Sequence, residues 1–324
     1  AASDVYKRQG VYGAEIRVQG FSGYLVELLV LYYGSFLNVL REARSWRPRR
    51  VFIDLEGYYG ERERKRLLKT MPGAMVVVDP VDKSRNVASA LSVQRFCEFV
   101  AAARVFLEKP SIHFFFPPPL ELRDEGFVRE VIERRGTDIV ALVTRLPPMP
   151  EDIAWGQIYK SLEGLARLLE RHEFRVYGTG AWLGGDGTLV MLFELESSRL
   201  PAIEKHCGPP VGSKNERDFL EKYLERREGT VAGPYIEGSR WYVLRTRRHS
   251  DARDVLRFEY RQAKLGKQIA SCLEGASVLV GSEILERLGS SRDFLEYLYE
   301  WLERIPRWLR PYGEQSGGSL QQGG

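Results

Sequence analysis

The chain has 324 residues, of which 44% are hydrophobic, enough to bury a real core and to form two domains. No apolar run reaches the roughly 18 to 20 residues of a membrane span; the greasiest window, Leu25 to Leu31, is interrupted by Glu27. The formal net charge is only +4, but the basic residues are clustered, which points to a local polyanion contact rather than a histone-like chain. Three separated cysteines (Cys97, Cys207, Cys272) make neither a zinc pattern nor a disulfide framework and fit a reducing cytoplasm.

The first nine residues, Ala1 to Gln9, carry no initiator methionine or signal peptide and read as foreign to the rest of the chain. From Gly10 the pattern is dense. Glycines at 10, 13, 20 and 23 let backbone approach a ligand, and Ser22 or Gly23 can start a helix over 24–33 whose free N–H groups suit a phosphate. Tyr12 and Tyr24 can donate hydroxyls to phosphate or stack on a base; an ordinary turn with half-buried tyrosines is the alternative. Gly34-Ser35 breaks the helix, and a second is predicted over 36–44. Arginines 41, 44, 47, 49 and 50 then surround Trp46, a mixture compatible with RNA contact or with a solvated helix end.

A strand is predicted over 51–54 and an exposed helix or loop over 61–69. The run Val76-Val77-Val78 reads as a buried strand that stops at Asp79-Pro80. Asn86 or Ser84 can cap the next helix, through Phe96, Phe99, Val100 and Ala103. Arg85 then sits at a helix start, where the dipole disfavours a cation by up to about 1 kcal/mol. It needs a partner there: an acid, a phosphate or a base edge. A salt bridge to Asp79 or Asp82 is the plain alternative. Phe114-Phe115-Phe116 and Pro117-Pro118-Pro119 close this first unit, 10–118.

In the second unit, 119–315, the predicted order is helix 124–135, strand 139–144, helix 153–171, strands 174–182 and 188–195, helix 216–227 and strand 241–245. That is a split βαβ sheet of the ferredoxin or RNA-recognition type, one strand short. Gly184 to Gly187 forms a hairpin turn. A helix over 251–266 and amphipathic helices over 282–288 and 291–305 come next. The fold class is therefore α+β. Residues 316–324 are low-complexity and expected to be disordered.

The main electrostatic feature is the sweep Arg240, Arg245, Arg247, Arg248, Arg253, Arg257, Arg261, Lys264 and Lys267. On one helix, Arg253, Arg257, Arg261 and Lys264 form a basic stripe, with Trp241, Tyr242 and Tyr260 nearby to stack on bases. A solvated helix face is the alternative. No metal site is evident: Glu194 and Glu196 share a strand face but lack a preceding Gly-Ser helix. The four histidines (His113, His172, His206, His249) are isolated, with no Cys, Ser or carboxylate at triad or ligand spacing, and read as structural; no Walker or dinucleotide motif is present.

Taken together, Gly10-Val11-Tyr12-Gly13-Ala14-Glu15, Gly20-Phe21-Ser22-Gly23-Tyr24-Leu25, Tyr33-Gly34-Ser35-Phe36, Asp79-Pro80-Val81-Asp82-Lys83-Ser84-Arg85-Asn86, His206-Cys207-Gly208-Pro209-Pro210 and Gly233-Pro234-Tyr235 resemble the archaeal, class I CCA-adding enzymes, the tRNA nucleotidyltransferases. The resemblance runs in order from Gly10 to about Gly275. It implies a head, neck, body and tail architecture, with residues 10–118 as a helical neck carrying a small sheet. The split βαβ body and helical tail come after it. It also implies template-independent addition of C, C and A to tRNA 3′ ends from CTP and ATP. Magnesium would be bound by the head, and the chain is expected to be a headless fragment, inactive alone. Tyr12 matches a triphosphate contact, Tyr24 another residue of that pocket, and Arg85 the reader of the cytosine or adenine edge. Asn86 is grouped with them as nucleotide-binding. A lysine of the pocket falls on Ser3 and is absent here. The sweep from Arg240 to Lys264 is expected to grip the tRNA acceptor and TΨC stems. A cytoplasmic protein, able to form a homodimer, is expected. A poly(A)-type polymerase fragment and a non-catalytic RNA-binding protein are the competing readings.

Overall fold

The computed structural model describes residues 13–116 and 124–310. Tyr12, Ser3, the leader 1–9 and the tail 316–324 lie outside the described residues. The chain divides into two compact units.

The first unit groups residues 13–116 with 150–156 and 303–310. Helix α1 (Gly23–Tyr33) opens where the Ser22 side chain accepts from the Leu25 N–H. It ends at Gly34, whose φ of 80° places it in the left-handed region that glycine favours. Ser35 caps α2 (Phe36–Ala43) in the same manner, and the two helices bend by 89° at the break. Leu25, Leu28 and Leu29 of α1 and Val39, Leu40 and Ala43 of α2 join a core with Phe96, Phe99, Val100 and Ala103. Among the described residues no single helix is long and apolar enough to cross a membrane. Trp46 belongs to this core, stacked on Phe96 at 5.9 Å, so it is not offered to a base. Strand β1 (Phe52–Ile53) pairs in parallel with β2 (Val76–Val77), and α3 (Glu61–Thr70) lies between them in sequence. Helix α4 (Val93–Glu108) is capped by Ser92. The expectation that Asn86 or Ser84 starts it is corrected: residues 84–91 form a compact loop, and Arg85 is not at a helix start.

The second unit groups residues 124–149 with 157–302. Asp124 caps α5 (Glu125–Arg134). Strand β3 (Asp138–Arg145), α6 (Glu151–Arg171), β4 (Val176–Leu183) and β5 (Thr188–Leu195) succeed it as expected, with the hairpin closed at Gly184 to Gly187. The four-stranded sheet has the order β4-β5-β3-β9, every neighbour antiparallel. This is a split βαβ arrangement, and its fourth strand is β9 (Ser277–Val280).

The predicted strand 241–245 lies elsewhere. It is β8 (Arg240–Thr246), the centre of a separate sheet between β6 (Ile203–Pro210) and β7 (Thr230–Glu237). Val243 packs there under Phe219 and Tyr223, which come from α7 (Glu216–Leu220) and a π-helical turn at Glu221–Glu225. The predicted 216–227 helix is thus shorter, and this whole layer is inserted between β5 and α8 (Ala252–Phe258).

The 251–266 helix is also corrected. It ends at Phe258, because Glu259 and Tyr260 both turn inward, with 5% and 4% of their surfaces exposed. A short 3-10 turn at Tyr260–Gln262 comes next, then α9 (Lys267–Cys272). Arg261 and Lys264 therefore leave the helix that carries Arg253 and Arg257, and no single basic stripe forms. Helices α10 (Ser282–Leu288) and α11 (Arg292–Glu303) supply Ile284, Leu285, Phe294 and Leu298 to the core over Ile139, Ala141, Val190 and Leu192.

Candidate nucleotide and RNA sites

The β2 strand delivers the chain to Asp79, and a Val78–Asn86 bridge closes the loop beyond it. Pro80 ends the strand, since it has no N–H to give. The Asp79 N–H donates to the Arg85 carbonyl, and the Arg85 N–H to the Asp82 carbonyl, so the loop folds back on itself. Two adjacent tyrosines fasten it from outside: Tyr58 Oη donates to the Pro80 carbonyl at 2.7 Å and Tyr59 Oη to the Lys83 carbonyl at 2.6 Å. Neither tyrosine stood out in the sequence, although Gly57-Tyr58-Tyr59-Gly60 was a readable signal for a turn that presents two rings.

Asp79 is the hub of this loop. Its buried carboxylate accepts from the Val81 N–H at 2.9 Å, from Tyr24 Oη at 3.2 Å and from Arg85 Nη1 at 3.3 Å. The Val81 N–H, joined by Tyr24, the Asp82 backbone and the Arg85 charge, outweighs burial and holds the carboxyl below the usual carboxylate range. Burial and the bond to Asp79 push the Tyr24 phenol up, so it stays a hydrogen-bond donor. Tyr24 and Arg85 are 61 residues apart in sequence and meet on one carboxylate.

Arg85 takes up the plain alternative without losing the functional one. It is ion-paired to Asp79, yet 63% of its side chain is exposed. One nitrogen of the planar fork is held. Among the described residues the rest of the fork has no other hydrogen-bond partner and faces solvent. A carboxylate that fixes one edge of a guanidinium orients the other edge.

Asn86 does a different job from the one expected. It is 5% exposed, and its Oδ1 accepts from the Val77 and Ala88 N–H groups at 2.9 and 3.0 Å. Its Nδ2 donates to the Pro72 and Met75 carbonyls at 2.8 and 3.0 Å. Both donors and both acceptor directions are used. The side chain has nothing left for a nucleotide; it stitches the loop to β2. Gly73 completes that stitch, since at φ 104° a Cβ would stand 2.4 Å from the Ala88 carbonyl oxygen.

The basic sweep is mostly committed to acids. Arg245 pairs with Glu204 at 2.6 Å and also donates to Tyr223 Oη. Arg247 pairs with Glu173 and Glu204, Arg248 with Glu259, Arg253 with Glu283 and Arg261 with Glu274. Arg240 donates to the Gly208 carbonyl. Only Arg257 and Lys264 of the predicted contacts are exposed without a partner among the described residues. Tyr260 is buried, while Trp241, which donates to Glu216, and Tyr242 are both half-exposed.

Among the described residues no group of three or more His, Cys, Asp or Glu could hold a metal ion. Glu194 is 2% exposed and is gripped by Arg135 at 2.9 and 3.2 Å and by Thr137 at 2.8 Å. Glu196 instead lies beside Arg175 and Tyr177. The described residues therefore do not fit magnesium.

Two family models match the chain in order: the second domain of tRNA nucleotidyltransferase over residues 2–116, and the C-terminal domain of the CCA-adding enzyme over residues 135–281. A CCA-adding enzyme of Methanosarcina barkeri is 40% identical over 298 residues, covering 90% of this chain and 62% of the relative. One from Methanothermobacter thermautotrophicus is 36% identical over 301 residues, covering 91% and 62%. One from Pyrobaculum islandicum is 38% identical over 251 residues, covering 78% and 54%. The chain thus spans about 62% of the length of the first two relatives. Two consecutive domains of one enzyme are thus matched in order, and over about 90% of its own length the chain is similar to curated CCA-adding enzymes.

Proposed function

We propose that this chain supplies the base-reading and tRNA-gripping parts of an enzyme that adds C, C and A to the 3′ end of tRNA from CTP and ATP. The observation that carries the reading is the Arg85 guanidinium, fixed on one side by Asp79 and open on the other. Such a fork donates to the acceptors of cytosine (O2 and N3) or adenine (N1), and meets N–H groups on uracil and guanine. Tyr24, through Asp79, belongs to the same positioning group. Tyr12 remains a proposed triphosphate contact outside the described residues. The exposed cations at Arg257 and Lys264 are the proposed contacts to tRNA phosphates.

Magnesium is assigned to a part of the family architecture that neither matched domain covers, and the isolated chain is expected to bind tRNA without extending it. A cytoplasmic location belongs to the same reading, since tRNA is matured there. The test is nucleotide choice by Arg85→Ala in this chain joined to the remainder of the family architecture. A bidentate base contact is worth about 1–3 kcal/mol, so CTP and ATP should lose roughly 5- to 150-fold of their preference over UTP and GTP. The affinity for tRNA should stay near its original value. Unchanged ratios reject the assignment of Arg85.

A further inference from the structure

Three of the four histidines, scattered in sequence at 172, 206 and 249, come together in the second unit. They line one cleft of about 800 Å³, formed by the end of α6, the edge strand β6, the π-helical turn and the end of β8. Histidine is the side chain whose charge changes nearest to neutral pH, and His172 and His206 make this wall pH-sensitive.

The other charges of the cleft are largely matched. Arg245 and Arg247 share Glu204, Lys222 pairs with Glu228, and Arg248 and Lys205 reach Glu259 and Glu237 behind the lining. Arg171 donates to the Gln262 carbonyl. The charge still to be decided is therefore that of the imidazoles. His172 faces His249, edge to face at 5.6 Å, with Glu259, Arg171 and Arg248 around it. His206 stacks against Phe219 and faces Arg245, Glu204, Lys222 and Glu173. His249 is already bonded to Glu259 at 2.9 Å.

We propose that this cleft is a proton-linked phosphate site, which takes a backbone phosphate of bound RNA with proton uptake by His172 and His206. The proposal rests on the reading of the chain as tRNA-binding and adds how that grip responds to pH. Burial, followed by the neighbouring His249 for His172 and Arg245 for His206, holds both imidazoles below the ordinary histidine range, so both are neutral at pH 7. An anion in the cleft favours the protonated ring and raises those values. Affinity then rises as pH falls through the window below the ordinary value of 6.5, and it is lost as pH rises above that window.

The experiment titrates the whole chain with a short RNA hairpin, and separately with inorganic phosphate, from about pH 8 to about pH 5.5. Calorimetry in buffers of different ionisation heat counts the protons taken up. The expected result is RNA affinity that tightens by up to about tenfold per pH unit for each proton gained, with uptake of one to two protons. The double variant His172→Gln/His206→Gln should lose both the slope and the uptake while melting like the parent at neutral pH. Histidine-dependent uptake with phosphate alone supports the site, with free phosphate as a sufficient ligand. RNA binding with no pH slope and no uptake overturns the proposal and leaves the tRNA reading standing. A full slope in the double variant also overturns it. Uptake with phosphate but no RNA binding at any pH overturns this proposal together with the tRNA reading.

Discussion

Arg85 donates from Nη1 to Oδ2 of Asp79 at 3.3 Å, and in this pair the carboxylate is buried while the arginine side chain is 63% exposed. The asymmetry matters. A fully enclosed pair has no capacity left, and a fully exposed one contributes little and wanders. Here the acid is pinned from within by Tyr24 and the Val81 N–H, so the exposed base is aimed.

Asp79→Asn is expected to lower the melting temperature at neutral pH, because the ion pair goes and a carboxamide cannot accept on both oxygens. The pH dependence has a definite sign. The native carboxyl titrates below its ordinary value of 3.8, so its contribution is complete above that value and fades as pH falls through the native one. Parent and variant melting curves should differ most at neutral pH and converge in acid. A constant gap across that range would remove Asp79 from its place as the hub.

Asn86→Ala should be among the more damaging single changes in the first unit. It leaves two buried N–H groups and two carbonyls without their partner, and each unsatisfied buried group costs about 1–3 kcal/mol. A loss of about 3 kcal/mol or more by urea unfolding is expected, after partial relaxation of the loop. A loss below about 1 kcal/mol would mean that the side chain is not a structural stitch.

Arg257→Ala and Lys264→Ala should weaken RNA binding across sequences and lower the salt slope by about one unit each, as loss of a phosphate contact does. Neither should change stability much. Arg245→Ala should do the reverse: it leaves Glu204 with Arg247 alone and takes the donor from the Tyr223 hydroxyl, so the three-stranded sheet loosens before RNA affinity is tested. Binding isotherms at low and moderate salt, beside thermal melts, separate the two groups. Equal salt slopes for Arg245→Ala and Arg257→Ala at unchanged stability would contradict the division.

Local chemistry made much of this protein readable from sequence. Ser22 or Gly23 marked a helix start, Gly34-Ser35 the break between two helices, Asp79-Pro80 the end of a strand, and Gly184 to Gly187 a hairpin, because caps, prolines and glycines act within a few residues. The family motifs around Tyr24 and Arg85 were legible for the same reason: they are short, ordered runs. Tertiary structure decided what such runs cannot carry. Residues 241–245 are a mostly apolar run that suits a strand of either sheet, so only packing under Phe219 and Tyr223 could assign them to the inserted sheet rather than the split βαβ sheet. The row of basic residues after Arg240 looked free because its acids, Glu173, Glu204, Glu259, Glu274 and Glu283, come from other elements. Asn86 and Arg85 are neighbours in sequence, yet the fold buried one and exposed the other. A buried amide must satisfy every donor and acceptor it brings, whereas an exposed guanidinium needs only one anchor to be oriented.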